Sequence, residues 1–185
     1  MSINDQIAFL MLRGLNCGND KWTRDVPIKV LCFVWRANQD RIPTVIQLQK
    51  RGIPIQESSC RYCTEEEEDA AHVLWHCPFA ATVWYWVLKW CEIPIPTIQN
   101  VGDLIVFVHQ WGQNEKTRRD LASIAYGTLW LIWKARCDRL FKKKRMSPTV
   151  VPDNVKSIVF TWLKHRRSKC TYNWVEWCLN SFTCR

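Results

Sequence analysis

Cys60-Arg61-Tyr62-Cys63-Thr64-Glu65-Glu66-Glu67-Glu68-Asp69-Ala70-Ala71-His72-Val73-Leu74-Trp75-His76-Cys77-Pro78 is the stretch on which the organisation of this chain turns. Two thiolates two residues apart can bite one metal from a tight turn. The next candidate ligands begin nine residues later: His72, then His76 and Cys77. Cys60, Cys63, His72 and Cys77 offer three sulfurs and one imidazole, a closed tetrahedral set that selects a structural zinc ion. A closed set leaves no position for water, which argues against metal-based catalysis. Three competing readings stand beside it. The cysteines could be core residues beside a satisfied histidine. The Cys-x-x-Cys could be redox-active, but it lacks the strand–helix setting of a thioredoxin. Finally, His72 and His76 lie four apart on one helix face and could complete a Cys2His2 set with Cys77 as a bystander. The gap of eight residues is short for that finger, which usually has about 12.

Outward from this loop the flanking segments read as helices. Residues 27–38 are apolar around most of the circumference, and Pro27 suits a first helical position. Pro43 pushes Ile42 out of the helical region, so residues 40–44 read as a turn. Thr44 can cap a helix to about Arg51, and Gly52 can supply a left-handed stop. Asp69 can cap a short helix through His76. Pro78 opens another, in which Phe79, Val83, Trp86, Val87 and Trp90 recur at three and four. Residues 91–100, with Pro94 and Pro96, read as a connector and the preferred domain boundary.

Beyond the connector, Val101–Trp111 reads as a short helix and residues 115–141 as a long one. The inner stripe of the long helix is Leu121, Ile124, Ala125, Thr128, Leu131, Ile132 and Ala135. Lys142–Arg145 and Pro148 end it. Pro152 opens a helix to about Ser168, with Val155, Ile158, Val159, Trp162 and Leu163 inward. Residues 172–180 are helix or strand. No segment alternates with period two over a useful length. The expected fold is all-α: a helical array with an irregular loop region organised by a Cys3His zinc site. Its expected divisions are a lead-in over 1–20, a zinc-binding domain over 21–100, and a basic helical region over 101–185.

Composition agrees with a folded, intracellular protein. The chain has 185 residues and is 48% hydrophobic, too apolar for disorder. Its 12 tryptophans and 10 cysteines are the anomalies. No apolar run approaches the ~18–20 residues of a membrane span. Ile7–Leu12 is too short for a signal peptide and follows Asp5. A nuclear or cytoplasmic, reducing location is therefore expected, with no membrane partner. Cys32, Cys91, Cys137 and Cys178 sit singly on apolar segments, as small hydrophobes do.

The net charge of +9 is unevenly placed. Residues 115–169 hold 15 basic against 4 acidic side chains, and residues 21–51 hold 7 against 2. Such segments favour a polyanion, and nucleic acid, RNA or DNA, is the usual one. A solvated helix face explains the same charge without a partner. The candidate contacts are Lys29, Arg36, Arg41, Lys50 and Arg51 on one basic surface. Tyr62 and Trp75, read as exposed near the metal motif, are candidates for stacking on unpaired bases.

Several strings carry a family resemblance: Val26-Pro27-Ile28-Lys29-Val30, Phe33-Val34-Trp35-Arg36, Arg41-Ile42-Pro43-Thr44, Lys50-Arg51-Gly52-Ile53, Cys60-x2-Cys63, Glu68, His72-Val73-Leu74 and Cys77-Pro78-Phe79-Ala80. Their order and spacing over roughly residues 15–100 resemble the reverse-transcriptase zinc-binding domain. That module occurs in plant LINE-type non-LTR retroelements, after the polymerase domain. The resemblance implies Cys60, Cys63, His72 and Cys77 as the zinc set. Ile132-Trp133-Lys134-Ala135-Arg136 looks like the segment such elements carry before an RNase H region; Cys137 stands where Asn is common. The implied partners include polymerase or RNase H domains of a parent element. The family's polymerase string Tyr-x-Asp-Asp is missing, as is an RNase H acidic quartet. The expectation is a non-catalytic accessory module, a remnant or tail of a larger polyprotein.

Overall fold

The computed structural model describes residues 24–167 and 173–182. The expected lead-in over 1–20 lies outside them. Among the described residues the fold is helical with no strand; a single antiparallel bridge joins Ser59 to Glu67. The helices are α1 (Ile28–Asn38), α2 (Val45–Lys50), a π-helical turn (His72–His76), α3 (Pro78–Trp90), α4 (Val101–Gln110), α5 (Glu115–Lys142), α6 (Val151–Arg166) and α7 (Trp174–Leu179). The last segment, open between helix and strand, is thus a helix.

Local chemistry sets most of the boundaries. Thr44 caps α2 by accepting a hydrogen bond from the Gln47 N–H at 3.4 Å. Gly52 follows at φ +81°, a conformation open to glycine at no steric cost. Asn100 and Asn114 cap α4 and α5 in the same way as Thr44 caps α2. Lys143 closes α5 in the left-handed region, and the Lys144 N–H donates to the Asp138 carbonyl at 3.2 Å.

α5 is the axis of the molecule. At 28 residues it is about 42 Å long. Its most extensive interface is with α6, and it also packs on α1, α3, α4 and the π-turn. Neighbours on every side bury Asp120 through Leu129 without a break. The expected inner stripe is therefore part of a helix buried all round over that span. Gly127 lets α6 approach: a Cβ there would lie 2.9 Å from Val159 Cγ2.

The hydrophobic core is continuous from Val26 to Trp177 and runs through the connector, where Cys91, Ile93 and Ile98 are buried. α7 is pinned by Trp177, whose carbonyl accepts from Trp90 Nε1–H and whose own Nε1–H donates to the Lys156 carbonyl, both at 2.9 Å. One expectation for α3 needs correcting. Trp86 is 42% exposed, beneath the Lys89 ammonium, and Trp84 takes the inner position. The π-turn and α5 press on the Ala80–Trp84–Leu88 side, where Trp84 Nε1–H donates to the Leu74 carbonyl at 2.8 Å.

Candidate metal centre and its basic surroundings

The metal motif is built from a reverse turn and a helix junction. The Ser59–Glu67 bridge closes a loop in which the Cys60 N–H donates to the Glu66 carbonyl at 2.7 Å and the Thr64 N–H to the Cys60 carbonyl at 2.9 Å. The chain thus turns back on itself between Cys60 and Cys63. The Tyr62 N–H points at the Cys60 sulfur, 3.4 Å away. On the other side, Asp69 caps the approach to the π-turn by accepting from the His72 N–H at 2.7 Å.

The π-turn solves a problem of phase. On a regular α-helix, residues five apart differ by about 140° around the axis. Between His72 and Cys77 the backbone instead makes an i to i+5 hydrogen bond, Cys77 N–H to the His72 carbonyl at 2.7 Å. The wide turn brings both side chains to the same side, and Pro78 begins α3 immediately after.

The ligand atoms of Cys60, Cys63, His72 and Cys77 all lie within 4.8 Å of one another. Cys60 Sγ is 3.8 Å from Cys77 Sγ, and Cys63 Sγ is 3.2 Å from His72 Nε2. Tetrahedral zinc, with Zn–S near 2.3 Å and Zn–N near 2.0 Å, places its sulfurs about 3.8 Å apart and sulfur and nitrogen about 3.5 Å apart. The four residues fit such an ion. Cys60, Cys77 and His72 are buried and Cys63 is half-buried, so the centre is closed to bulk water. His76 points elsewhere: its Nε2 meets the Gln99 carbonyl at 3.2 Å. Cys60 and Cys77 titrate as a pair. The hydrogen bond from Cys77 holds the Cys60 thiol down, while sharing that proton pushes Cys77 up. A lowered thiol pKa favours the thiolate, the form that binds metal.

Residues 11–84 match the family model for zinc-binding in reverse transcriptase. The matched region holds all four members of the cluster. No curated protein and no solved structure matches the chain. No helix among the described residues is long and apolar enough to cross a membrane.

In and around the matched region the basic candidates separate into groups. Arg36, Arg41, Lys50, Arg51 and Lys29 are all exposed. Arg36 and Arg51 both donate to the Arg41 carbonyl, at 3.5 and 3.0 Å, so two guanidinium groups meet at the turn that carries Arg41. The Arg41 guanidinium lies over the Trp35 ring. Lys29 sits further along α1, over Trp130 at 5.9 Å. Lys50 shares α2 but makes none of these contacts.

The two aromatics read as exposed are corrected. Tyr62 is half-buried, stacked on Phe79 with centroids 4.0 Å apart and covered by the Arg139 guanidinium at 4.7 Å. Burial pushes its phenol up to about 12. Trp75 is half-buried too and packs against Trp84 at 4.8 Å. Both are half-buried rather than exposed, because the loop folds back on α3 and α5.

Glu68 was not legible as a site residue. It lies in the acidic run Glu65–Asp69, whose carboxylates repel one another, yet it is fully buried. It accepts from the Val45 N–H at 3.2 Å and the Arg61 N–H at 3.4 Å, and it pairs with buried Arg136 of α5. One carboxylate thus ties α2, the metal loop and α5 together. The signal that singles it out is its place in the resemblance string, together with Arg136 in the later Trp-Lys-Ala-Arg segment.

Proposed function

We propose that this chain is a non-catalytic, zinc-held module that binds nucleic acid and derives from a reverse-transcriptase polyprotein of a LINE-type retroelement. The observation that carries the reading is the convergence of Arg36, Arg41 and Arg51 on one turn of the region matched to the zinc-binding family. In this reading zinc supplies structure only: bound by three thiolates and one imidazole, it has no open coordination position and holds the loop against α3. The exposed arginines then present a phosphate-binding face, for which planar guanidinium forks are suited.

A filter-binding assay over a salt series tests it. Contacts to n phosphates should give a log–log slope of roughly −0.7n to −0.9n. Absence of salt-dependent binding would remove the reading. A second reading rests on the exposed Tyr85–Trp86 pair of α3, which is 45% and 42% accessible. It makes the chain a docking module for polymerase or RNase H domains of a parent protein, and predicts binding to those domains without nucleic acid.

A further inference from the structure

α1 and α5 leave a groove between them that shares Arg36 with the proposed phosphate-binding face but otherwise lies beside it. It encloses about 270 Å³ and is lined by Lys29, Cys32, Phe33 and Arg36 from α1, by Ile42 and Pro43 from the following turn, and by Trp130 and Trp133 from α5. The α1 residues recur at three and four, so they form a single face of that helix. The walls are aromatic: Trp130 is half-buried, and Phe33 and Trp133 show only their margins, at 7% and 9% exposure. Phe33 meets Trp130 edge-on with centroids 5.5 Å apart and lies 5.9 Å from Trp133. The lining contains two cations and no carboxylate. Lys29 and Arg36 are both exposed, and Arg36 continues into the Arg41–Arg51 cluster through the Arg41 carbonyl. The nearest acidic side chain on α1's trailing turn, Asp40, is engaged by the Gln47 amide.

Resting on the nucleic-acid reading above, we infer that this groove takes one unpaired base of a single strand, with its flanking phosphates on Lys29 and Arg36. An aromatic slot rimmed by cations suits a flat, apolar-faced ring attached to anions on both sides. A duplex keeps its bases stacked inside and can use only the guanidinium cluster. The slot is composite: two of its eight lining residues, Trp130 and Trp133, come from α5, beyond residues 11–84 that match the zinc-binding family. Single-strand preference is thus a property of the docked pair of helices and not of the zinc-binding region alone.

The test compares three labelled probes by fluorescence anisotropy with the full chain: an oligothymidylate, an oligouridylate of the same length, and a duplex of that length. Trp130→Ala removes one wall. Cys32→Phe fills the slot while keeping every charge and indole, and serves if Trp130→Ala fails to fold by circular dichroism. Both variants are expected to weaken the single-stranded probes by about tenfold, in the range of one lost stacked base, and to leave the duplex unchanged. If wild-type chain binds the probes and Cys32→Phe lowers none of them, or lowers duplex and single strand equally, the groove assignment is overturned while nucleic-acid binding stands. If wild-type chain binds no probe at low salt, both are overturned.

Discussion

Glu68 and Arg136 form an ion pair in which both side chains are withdrawn from water, at 0% and 5% exposure. They are 68 residues apart in sequence. Burying two charges costs several kcal/mol, and their attraction offsets this only when the remaining polar atoms are satisfied. Here the Val45 and Arg61 N–H groups complete the carboxylate's shell. The pair therefore does little for stability against an apolar replacement, but it fixes which face of α5 meets the metal loop.

Removing one partner should accordingly be far worse than removing both. Glu68→Ala or Arg136→Ala leaves a buried charge and is expected to cost about 3–5 kcal/mol. The double variant Glu68→Leu/Arg136→Met should recover much of that loss. Urea unfolding of the four proteins checks it; equal losses in single and double variants would show that the pair's packing, not its charge, matters.

The metal centre gives a second expectation. Purified under reducing conditions, the chain should hold one zinc ion, and chelation should expose residues 54–80 to hydrogen exchange. Structural zinc supplies on the order of 10 kcal/mol in apparent terms at neutral pH. Cys77→Ser should lose most of the affinity, because its sulfur lies 3.8 Å from that of Cys60. His76→Ala should lose little, since that ring's Nε2 meets the Gln99 carbonyl instead of the cluster. Metal content by mass spectrometry decides between them, and zinc retained in Cys77→Ser but lost in His76→Ala would make the set Cys2His2.

Acid sensitivity should be traceable to Asp25. Burial opposes its ionisation, but Arg167, with Arg119, outweighs this and holds its pKa below the ordinary carboxylate value. A carboxylate whose folded pKa is depressed stabilises the fold above its unfolded pKa, near 3.9, and loses that contribution as pH falls through the folded value. Asp25→Asn should therefore be destabilising at neutral pH, by about 3 kcal/mol for a broken buried pair. The gap to wild type should close below about pH 4. Thermal melts across pH would show it; a gap constant with pH would exclude the linkage.

Charge reversal separates the basic segments. Reversing Arg36, Arg41 and Arg51 should weaken polyanion binding more than reversing Lys142, Lys143 and Lys144. The arginines are gathered on one turn, whereas Lys142 is engaged by Asp138 at 2.6 Å and Lys143 closes α5. Each lost phosphate contact should lower the salt slope by nearly one. Equal losses from both groups would remove the preference.

Gly127→Ala sets two effects against each other. Alanine gains about 1 kcal/mol of helix propensity, while forcing a Cβ to 2.9 Å from Val159 Cγ2 costs about 1–3 kcal/mol, because Val159 is fully buried and stiff. A net loss of about 1 kcal/mol is expected by urea unfolding. A stabilised variant would mean that α6 can yield at this crossing.

The sequence by itself determined what local chemistry controls. Thr44, Gly52, Asp69 and Pro78 mark element ends through caps, a positive φ and a missing donor, and all four act where the residues alone place them. The period-three-and-four apolar spacing determined an all-α fold, and the Cys-x-x-Cys spacing marked the metal loop. Tertiary structure decided what depends on neighbours from elsewhere in the chain. Trp84 is inside and Trp86 outside because the π-turn and α5 approach α3 from one side, and an amphipathic stripe this wide does not specify which edge they choose. Tyr62 and Trp75 are half-buried because they pack on Phe79, Arg139 and Trp84. Glu68 reads as one of four identical, mutually repelling glutamates; only the arrival of Arg136, from a helix that begins 47 residues after it, makes burying this one favourable.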